Sequence, residues 1–489
     1  MAHLEGTWVV IGGADKGGIL VRHGEELSSE ALDERLEYGA LLQEEELKGS
    51  RLRYRKIYGN GPEMGWISTK IHGKELVTRV MPPHLTKLQG ARGRAVPTGD
   101  PELTFYAISD VHVELKENMQ WLKDLPRFPD SAVLVAGDLG VSLAQVRQAL
   151  RLFKEKFTHV FYCYGNHETW CHKSLGDEEF REMADSFDKL ELLRQICMEE
   201  EVFVTPQLLN NVWVVPVLGW YHRSWDTEPP LQTPPGQELE HPPLPGEKFA
   251  TDTAACKWRS FTNASTELAQ HLDQQNELWG IWPLPAELEE NLKKPRGERS
   301  SWVISFSHFL PEIELMPEKR FLFTPNLTQI VGSSFIRQRI KALQPDLHIF
   351  GHSHFPWDMT LSDGVRYKSW PLGTPAEQAR RISSYPSKDI EEWHPLPVFD
   401  SLGRHYPTGP ACWYSLMYTR LRRDPQSYAM ASFVADVYCP QAPRVPESIL
   451  SPGGLIPVKD EEQLKRRERY AGKSAASMKR EMKNWASAS

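Results

Sequence analysis

From about residue 100 onward, short apolar runs alternate with helical periods. Leu103 to Ile108, Ala132 to Ala136, Val160 to Tyr164, Val212 to Leu218, Trp302 to Phe306 and Leu347 to Phe350 are apolar and strand-sized. Between them, Leu143, Val146, Leu150, Phe153 and Phe157 recur on one helical face, as do Phe180, Met183, Phe187 and Leu190. Strands alternating with amphipathic helices predict a layered α/β domain. Each apolar run also stops at a distinctive motif: Asp110-Val111-His112, Gly137-Asp138, Gly165-Asn166-His167-Glu168, Trp220-Tyr221-His222, Ser307-His308 and Gly351-His352-Ser353-His354. In α/β folds, ligands sit where strands end and loops begin.

Residues 1–95 have another texture. Thr7 to Ile11 and Gly17 to Val21 are short β-like runs separated by glycines. Arg51 to Tyr58, the turn Gly59-Asn60-Gly61-Pro62 and Gly65 to Thr69 read as a hairpin. This pattern predicts a small β-rich, SH3-like module, a β-barrel-like domain that serves either as packing or to bind a protein partner. Gly90 to Pro97 reads as a linker, which gives a module over 1–95, a linker over 96–102 and a main domain over 103–400. Within the main domain, residues 226–250 are a proline-rich insertion, neither strand nor helix, hence an extended surface loop or a lid. Asp363-Gly364 between Met359-Thr360-Leu361 and Val365-Arg366-Tyr367 reads as a hairpin turn. In the C-terminal extension, 401–489, Cys412 to Tyr438 has enough aromatics to pack, and the segment from Lys459 is expected to be a solvated, charged helix.

Composition narrows the classes. The 489 residues are too many for one ordinary domain, and 40% hydrophobic with 25% charged residues is a globular balance. A formal charge of −8 speaks against a nucleic-acid-binding protein, and no such signature is present. The 6 cysteines form no Cys-x-x-Cys pair, which suggests a reducing compartment. Neither a secretory leader nor a membrane-spanning run is visible, so a cytoplasmic location without membrane attachment is expected.

The strand-end motifs supply the donor types that two adjacent divalent cations need. Two cations repel, and a carboxylate between them offsets this by giving one oxygen to each. Asp138, after a core strand, is the natural bridge. Asp110 and His112 can reach one ion together, Asn166 supplies a neutral oxygen, and His308, His352 and His354 complete the shells. Mixed nitrogen and oxygen ligation suits Mn, Fe, Zn or Co better than Mg or Ca. His167, beside Asn166, is placed to face a substrate as a proton donor, and Glu168 is expected to hold it. Trp220, Tyr221 and His222 either stack a nucleobase near the metals or simply pack their loop. Arg223 and Arg320 are candidate phosphate contacts, or ordinary surface charges.

These motifs resemble the calcineurin-like metallophosphoesterase superfamily, whose pattern is Asp-x-His, Gly-Asp, Gly-Asn-His-Asp/Glu, a later His and Gly-His-x-His. The resemblance spans roughly residues 100–375. It implies a four-layer αββα sandwich of two mixed sheets flanked by helices. It implies one metal held by Asp110, His112, Asp138 and His354, the other by Asp138, Asn166, His308 and His352, with His167 assisting catalysis. Asn118-Met119-Gln120-Trp121 and Ser307 to Pro311 resemble a plant and algal branch. The Asp-Arg-Gly of the serine/threonine protein phosphatases is absent: Leu139-Gly140-Val141-Ser142 follows Asp138. The expected activity is hydrolysis of a phosphate mono- or diester by a metal-bridging hydroxide. The alternatives are a non-catalytic scaffold on the same fold, recruiting partners through residues 1–95, and a metal site that is structural only.

Overall fold

The computed structural model describes residues 7–79 and 102–450, apart from 11, 14–15, 17, 37–39, 59–60, 72–73, 172–184, 376, 378–392, 407 and 409–411. The expected linker at 90–97, Phe180, Met183 and the tail from Lys459 lie outside the described residues. The chain divides into two compact units near residue 88.

The N-terminal unit is a seven-stranded antiparallel sheet in the order 31–36, 19–22, 64–68, 51–58, 41–48, 7–10, 77–79. The expected hairpin is present: Arg51–Tyr58 pairs with Met64–Ser68 from Arg51↔Ser68 to Arg55↔Met64. Alternating residues, Trp8 and Val10, Leu52 and Tyr54, turn inward and join Val21, Leu42 and Ile67 in a core of the unit's own. Three of the seven strands, Ala31–Leu36, Leu41–Lys48 and Val77–Arg79, were not foreseen. Charged and polar residues fill the middles of the first two, Asp33-Glu34-Arg35 in one and Gln43 to Glu46 in the other, so these lack the apolar signal of a buried strand.

The second unit contains two sheets. In the first, Phe157–Cys163, Phe128–Ala136 and Thr104–Ile108 are parallel neighbours, and Leu396–Asp400 runs antiparallel at the edge. In the second, Val212–Pro216, Trp302–Phe306, Leu347–Phe350 and Arg366–Ser369 are parallel, flanked by Gln207–Leu209 and Trp357–Thr360. The hairpin expected at Asp363-Gly364 joins Trp357–Thr360 to Arg366–Ser369. The sheets meet face to face, with edge-on ring contacts from Phe161 to Phe306 (6.5 Å) and from Trp302 to Phe399 (5.7 Å). Outside the first sheet lies helix Leu143–Lys156, with Val146, Leu150 and Phe153 buried and Ser142 accepting the Gln145 N–H at its start. Outside the second lies Ser334–Leu343, burying Ile336, Ile340 and Leu343. The order α/β/β/α is the expected four-layer sandwich, and its parallel strands deliver their carboxyl ends to a common edge.

The proline-rich insertion contains no strand and only a short 3₁₀ turn, Gly246–Lys248. Several contacts clamp it down: Asn326 donates to the Pro243 and Leu244 carbonyls, and Leu231 enters a satellite core with Phe321, Met417, Met430 and Val434. Helices Trp413–Arg420 and Ser432–Tyr438 build that core, as the aromatic content of the segment suggested. Among the described residues, no helix is long and apolar enough to cross a membrane.

Candidate metal centre

Five of the expected ligands take a backbone conformation that side chains usually avoid. Asp110, His112, Asp138, His352 and His354 all have positive φ, between 50° and 66°. Each such residue costs of order 1–3 kcal/mol, and that strain is held only where the surrounding structure dictates it. Gly165 shows how tight the loops are. A Cβ there would lie 2.2 Å from Asp138 Oδ1 and 2.8 Å from His308 Cε1, so only glycine lets the third loop pass.

The side chains converge in two groups. Asp110, His112, Asp138 and His354 each present a donor atom, all within 4.8 Å of one another, and Asp138, His308 and His352 do the same. Asp138 belongs to both groups, as the bridging role requires. His112 Nε2 and His354 Nε2 are 3.2 Å apart, and His354 Nε2 is 3.3 Å from Asp110 Oδ1. His308 Nε2 lies 3.1 Å from Asn166 Oδ1, 3.2 Å from His352 Nδ1 and 3.4 Å from Asp138 Oδ1.

What the outward nitrogens do decides what the inward ones can be. His308 Nδ1 donates to the Ala136 carbonyl (2.9 Å) and His352 Nε2 to the Ile330 carbonyl (2.8 Å). His354 Nδ1 donates to Glu377 (2.6 Å) and His112 Nδ1 to Glu114 (3.1 Å). Carbonyls and carboxylates only accept, so the outer nitrogen of each ring keeps a proton and the inner nitrogen is the one whose lone pair a cation can take. Asn166 is oriented the same way: its Nδ2 donates to Asp252 (2.9 Å), which leaves Oδ1 facing His308. Four imidazole lone pairs, an amide oxygen and two carboxylates thus face one another. Mutual lone-pair repulsion is relieved by cations between them, so the donor set fits two divalent metals.

Several supports escaped the sequence reading. Asp252 accepts from Asn166, from the Trp170 indole (2.6 Å) and from the Tyr221 hydroxyl (2.7 Å). The buried Lys189 donates to the carbonyls of Val141 and Trp170, 2.6 Å each, and so ties the Asp138 loop to the Asn166 loop. Glu114 accepts from both His112 and His167. A lone acid or lysine in the sequence carries no mark of such partners.

The expectation for Glu168 is corrected. It does not touch His167. Its carboxylate accepts the backbone N–H groups of Gly165 (2.7 Å), Leu139 (2.6 Å), Asp138 (3.2 Å) and Gly140 (3.4 Å), so it shapes two of the loops. His167 and Glu168 sit on one 3₁₀ turn, where adjacent side chains diverge. His167 is held instead by Glu114 at Nδ1 (3.3 Å), by Trp170 stacked on its ring (3.7 Å between centroids), and through its own N–H to Asp138 (2.9 Å). Burial lowers the pKa of His167, but the Asp138 and Glu114 carboxylates outweigh this and raise it to about 9.

The aromatic loop is also corrected as a stacking platform. Trp220 and Tyr221 are fully buried, packed on each other and on Phe309, so no ring face is left for a base. His222 Nε2 accepts the Ser334 N–H (3.0 Å), and its Nδ1 meets the Ser224 hydroxyl (2.8 Å). Arg223 is exposed and paired with Glu247 (3.2 Å), and Arg320 is buried against Glu318 (3.2 Å). Neither arginine has a described contact with the ligand groups.

The family description for calcineurin-like phosphoesterases matches residues 103–356. The chain is 26% identical over 306 residues to the [acyl-carrier-protein] phosphodiesterase PptH of Mycobacterium tuberculosis, a span of 59% of this chain and 84% of that protein. The crystal structure of the phosphopantetheinyl hydrolase PptH from Mycobacterium tuberculosis aligns with a TM-score of 0.42 at 19% identity, covering 57% of this chain and 93% of that one. A dimetal phosphatase from Danio rerio aligns with a TM-score of 0.26 at 14% identity, covering 55% and 87%.

Proposed function

Because the chain belongs to the calcineurin-like phosphoesterase family, we propose that its strand-end loops form a binuclear, metal-dependent site for phosphate-ester hydrolysis. Asp110, His112, Asp138 and His354 would hold one divalent cation; Asp138, Asn166, His308 and His352 would hold the other. The inward lone pairs carry this reading, because each imidazole already has its outer N–H satisfied. Bound cations of the Mn, Fe, Zn or Co kind would polarise the phosphoryl oxygens and lower the pKa of a water. The chain's own contribution is placement. Asp138 spans the two ligand groups, Glu168 fixes the loops carrying Asp138 and Gly165, and Asp252 turns the Asn166 oxygen inward. His167, with Nδ1 engaged, directs Nε2 toward Asp138 Oδ2 at 3.8 Å, where it can protonate a leaving oxygen.

The substrate is a phosphate mono- or diester. PptH is named for a diester on acyl-carrier protein, which puts a phosphopantetheinyl carrier protein on the test panel. Protein stripped of metal and reloaded with Mn should bind two ions per chain. It should also turn over at least one of 4-nitrophenyl phosphate, bis(4-nitrophenyl) phosphate and that carrier protein. Asp138→Asn should lose both the second ion and the turnover. Two tightly bound metals with no hydrolysis of any ester would favour a structural site and sink the enzymatic reading.

A further inference from the structure

We propose that Glu114 is the positioning residue of His167, setting which ring nitrogen meets the substrate. This rests on the phosphoesterase reading above. Glu114 follows the Asp110-Val111-His112 motif by two residues, and one of its oxygens serves two rings. Oε1 lies 3.1 Å from His112 Nδ1 and 3.3 Å from His167 Nδ1. A carboxylate only accepts, so both rings carry a proton on Nδ1 and both turn Nε2 to the centre. For His112 that nitrogen faces His354 Nε2 at 3.2 Å, and for His167 it faces Asp138 Oδ2 at 3.8 Å. The other carboxylate oxygen, Oε2, is buried and accepts no hydrogen bond from the protein. Glu114 therefore acts through Oε1 alone.

The remaining side-chain packing of His167 does not decide which ring nitrogen faces the centre. Trp170 covers one ring face, and the His112 ring meets it edge-on at 4.5 Å, which fixes the plane and not the proton. Glu168, its sequence neighbour, is occupied by four backbone N–H groups. Without Glu114 the ring is free to flip about its own axis and to turn Nδ1 to the centre. In the reaction, a hydroxide oxygen bonds to phosphorus and the bond to the leaving oxygen breaks, its electron pair staying on that oxygen. The proton on His167 Nε2 passes to the leaving oxygen, and the imidazole is left neutral with its Nδ1–H on Glu114.

The dependence of rate on the leaving group isolates this role. With saturating Mn, Glu114→Ala should slow every ester to some degree, because His112 loses its Nδ1 partner as well, and should slow phenyl esters, whose leaving group needs a proton, about 100-fold or more beyond 4-nitrophenyl esters, whose leaving group does not. His167→Ala should show the same slope, and the slope of the double variant should be no steeper than that of His167→Ala alone. Glu114→Gln, which preserves shape, should steepen the dependence by about tenfold in the same direction. A loss that is equal for all esters, slopes that add in the double variant, or an unchanged slope in Glu114→Gln would each overturn the proposal while leaving the phosphoesterase reading intact. A wild-type chain inert toward every ester would instead overturn that reading, and this inference with it.

Discussion

Two loops flank the same strand of the second sheet and look alike in sequence. Gly219-Trp220-Tyr221-His222 follows Val212–Pro216, and Gly351-His352-Ser353-His354 follows Leu347–Phe350; both strands run parallel to Trp302–Phe306. Each loop offers a glycine and then aromatic or imidazole rings. Yet only the second reaches the metal centre. His222 has an extended backbone, φ −146, and its Nε2 lone pair already accepts the first backbone N–H of helix Ser334–Leu343. His352 sits at φ +66, donates its Nε2–H to the Ile330 carbonyl and turns Nδ1 toward His308. A histidine is thus available to a cation when the protein occupies its N–H, and unavailable when the protein occupies its lone pair.

Exchanging the two losses should separate the loops most widely. His352→Ala should release one of two metals and cut turnover by more than about 100-fold, the upper range for outer partners of metal ligands. His222→Ala should keep both metals and nearly all activity, and lose about 1–3 kcal/mol of stability through an orphaned N–H at the start of the helix. Metal counting, steady-state rates and urea melts on the same samples check all three outcomes. If His222→Ala were the variant that lost metal, the distinction would collapse.

Asp252 links the aromatic loop to the centre, since it takes Tyr221 on one oxygen and the ligand Asn166 on the other. Asp252→Ala should therefore weaken binding at the Asn166 side by about 10- to 100-fold and leave the other ion in place. Titration of apoprotein with Mn, followed by isothermal calorimetry, should show one site weakened and one unchanged. Equal weakening of both sites would mean that Asp252 supports the fold and not the ligand.

The legibility of the chain follows the same physics. Six of the ten strands in the two main sheets were readable as apolar runs because they are largely buried on both faces, and those runs are nearly continuous; Trp302–Phe306 and Leu347–Phe350 have the expected bounds. The strand-end polar residues were readable because strand ends locate loops. Leu41–Lys48 was not, because Gln43-Glu44-Glu45-Glu46 puts four consecutive polar residues in its middle and leaves neither an apolar run nor an alternation. Asp252 and Glu377 lie far along the chain from Asn166 and His354, and only folding brings them together. Glu168 was misread because adjacency in sequence suggested contact with His167, whereas the 3₁₀ turn sends the two side chains apart.

Acid should bear on His222 in a way that depends on its occupied lone pair. Burial lowers its pKa from the ordinary 6.5 to about 4. Between those values the unfolded chain binds a proton that the folded chain refuses, so stability falls as the pH drops from about 6.5 towards 4 and holds steady above that window. At about 1.4 kcal/mol per unit, the loss reaches about 3 kcal/mol at most. Urea melts at pH 7.5 and pH 5 should show this loss in the wild type and not in His222→Ala, a difference that cancels whatever the metal ligands contribute. Parallel pH curves for the two chains would mean that His222 is not held neutral.

The smallest effect belongs to Tyr221→Phe. The Tyr221 hydroxyl donates to Asp252 Oδ2 and accepts from the Asn263 amide, 2.7 Å each. Asp252 keeps two other donors, and Asn263 lines an open cavity of about 430 Å³ where water can replace the lost acceptor. The variant should therefore lose about 1 kcal/mol of stability, retain two metals, and keep kcat and KM within about threefold. A ring that stacked a substrate base would behave otherwise. Removing its hydroxyl would leave stacking intact, and Tyr221→Leu would raise KM for a nucleotide ester well above that for a simple aryl ester. Equal KM values for the two esters in Tyr221→Leu, with stability as the only casualty, is the outcome that keeps the aromatic loop a packing element beside its ligand-bearing counterpart.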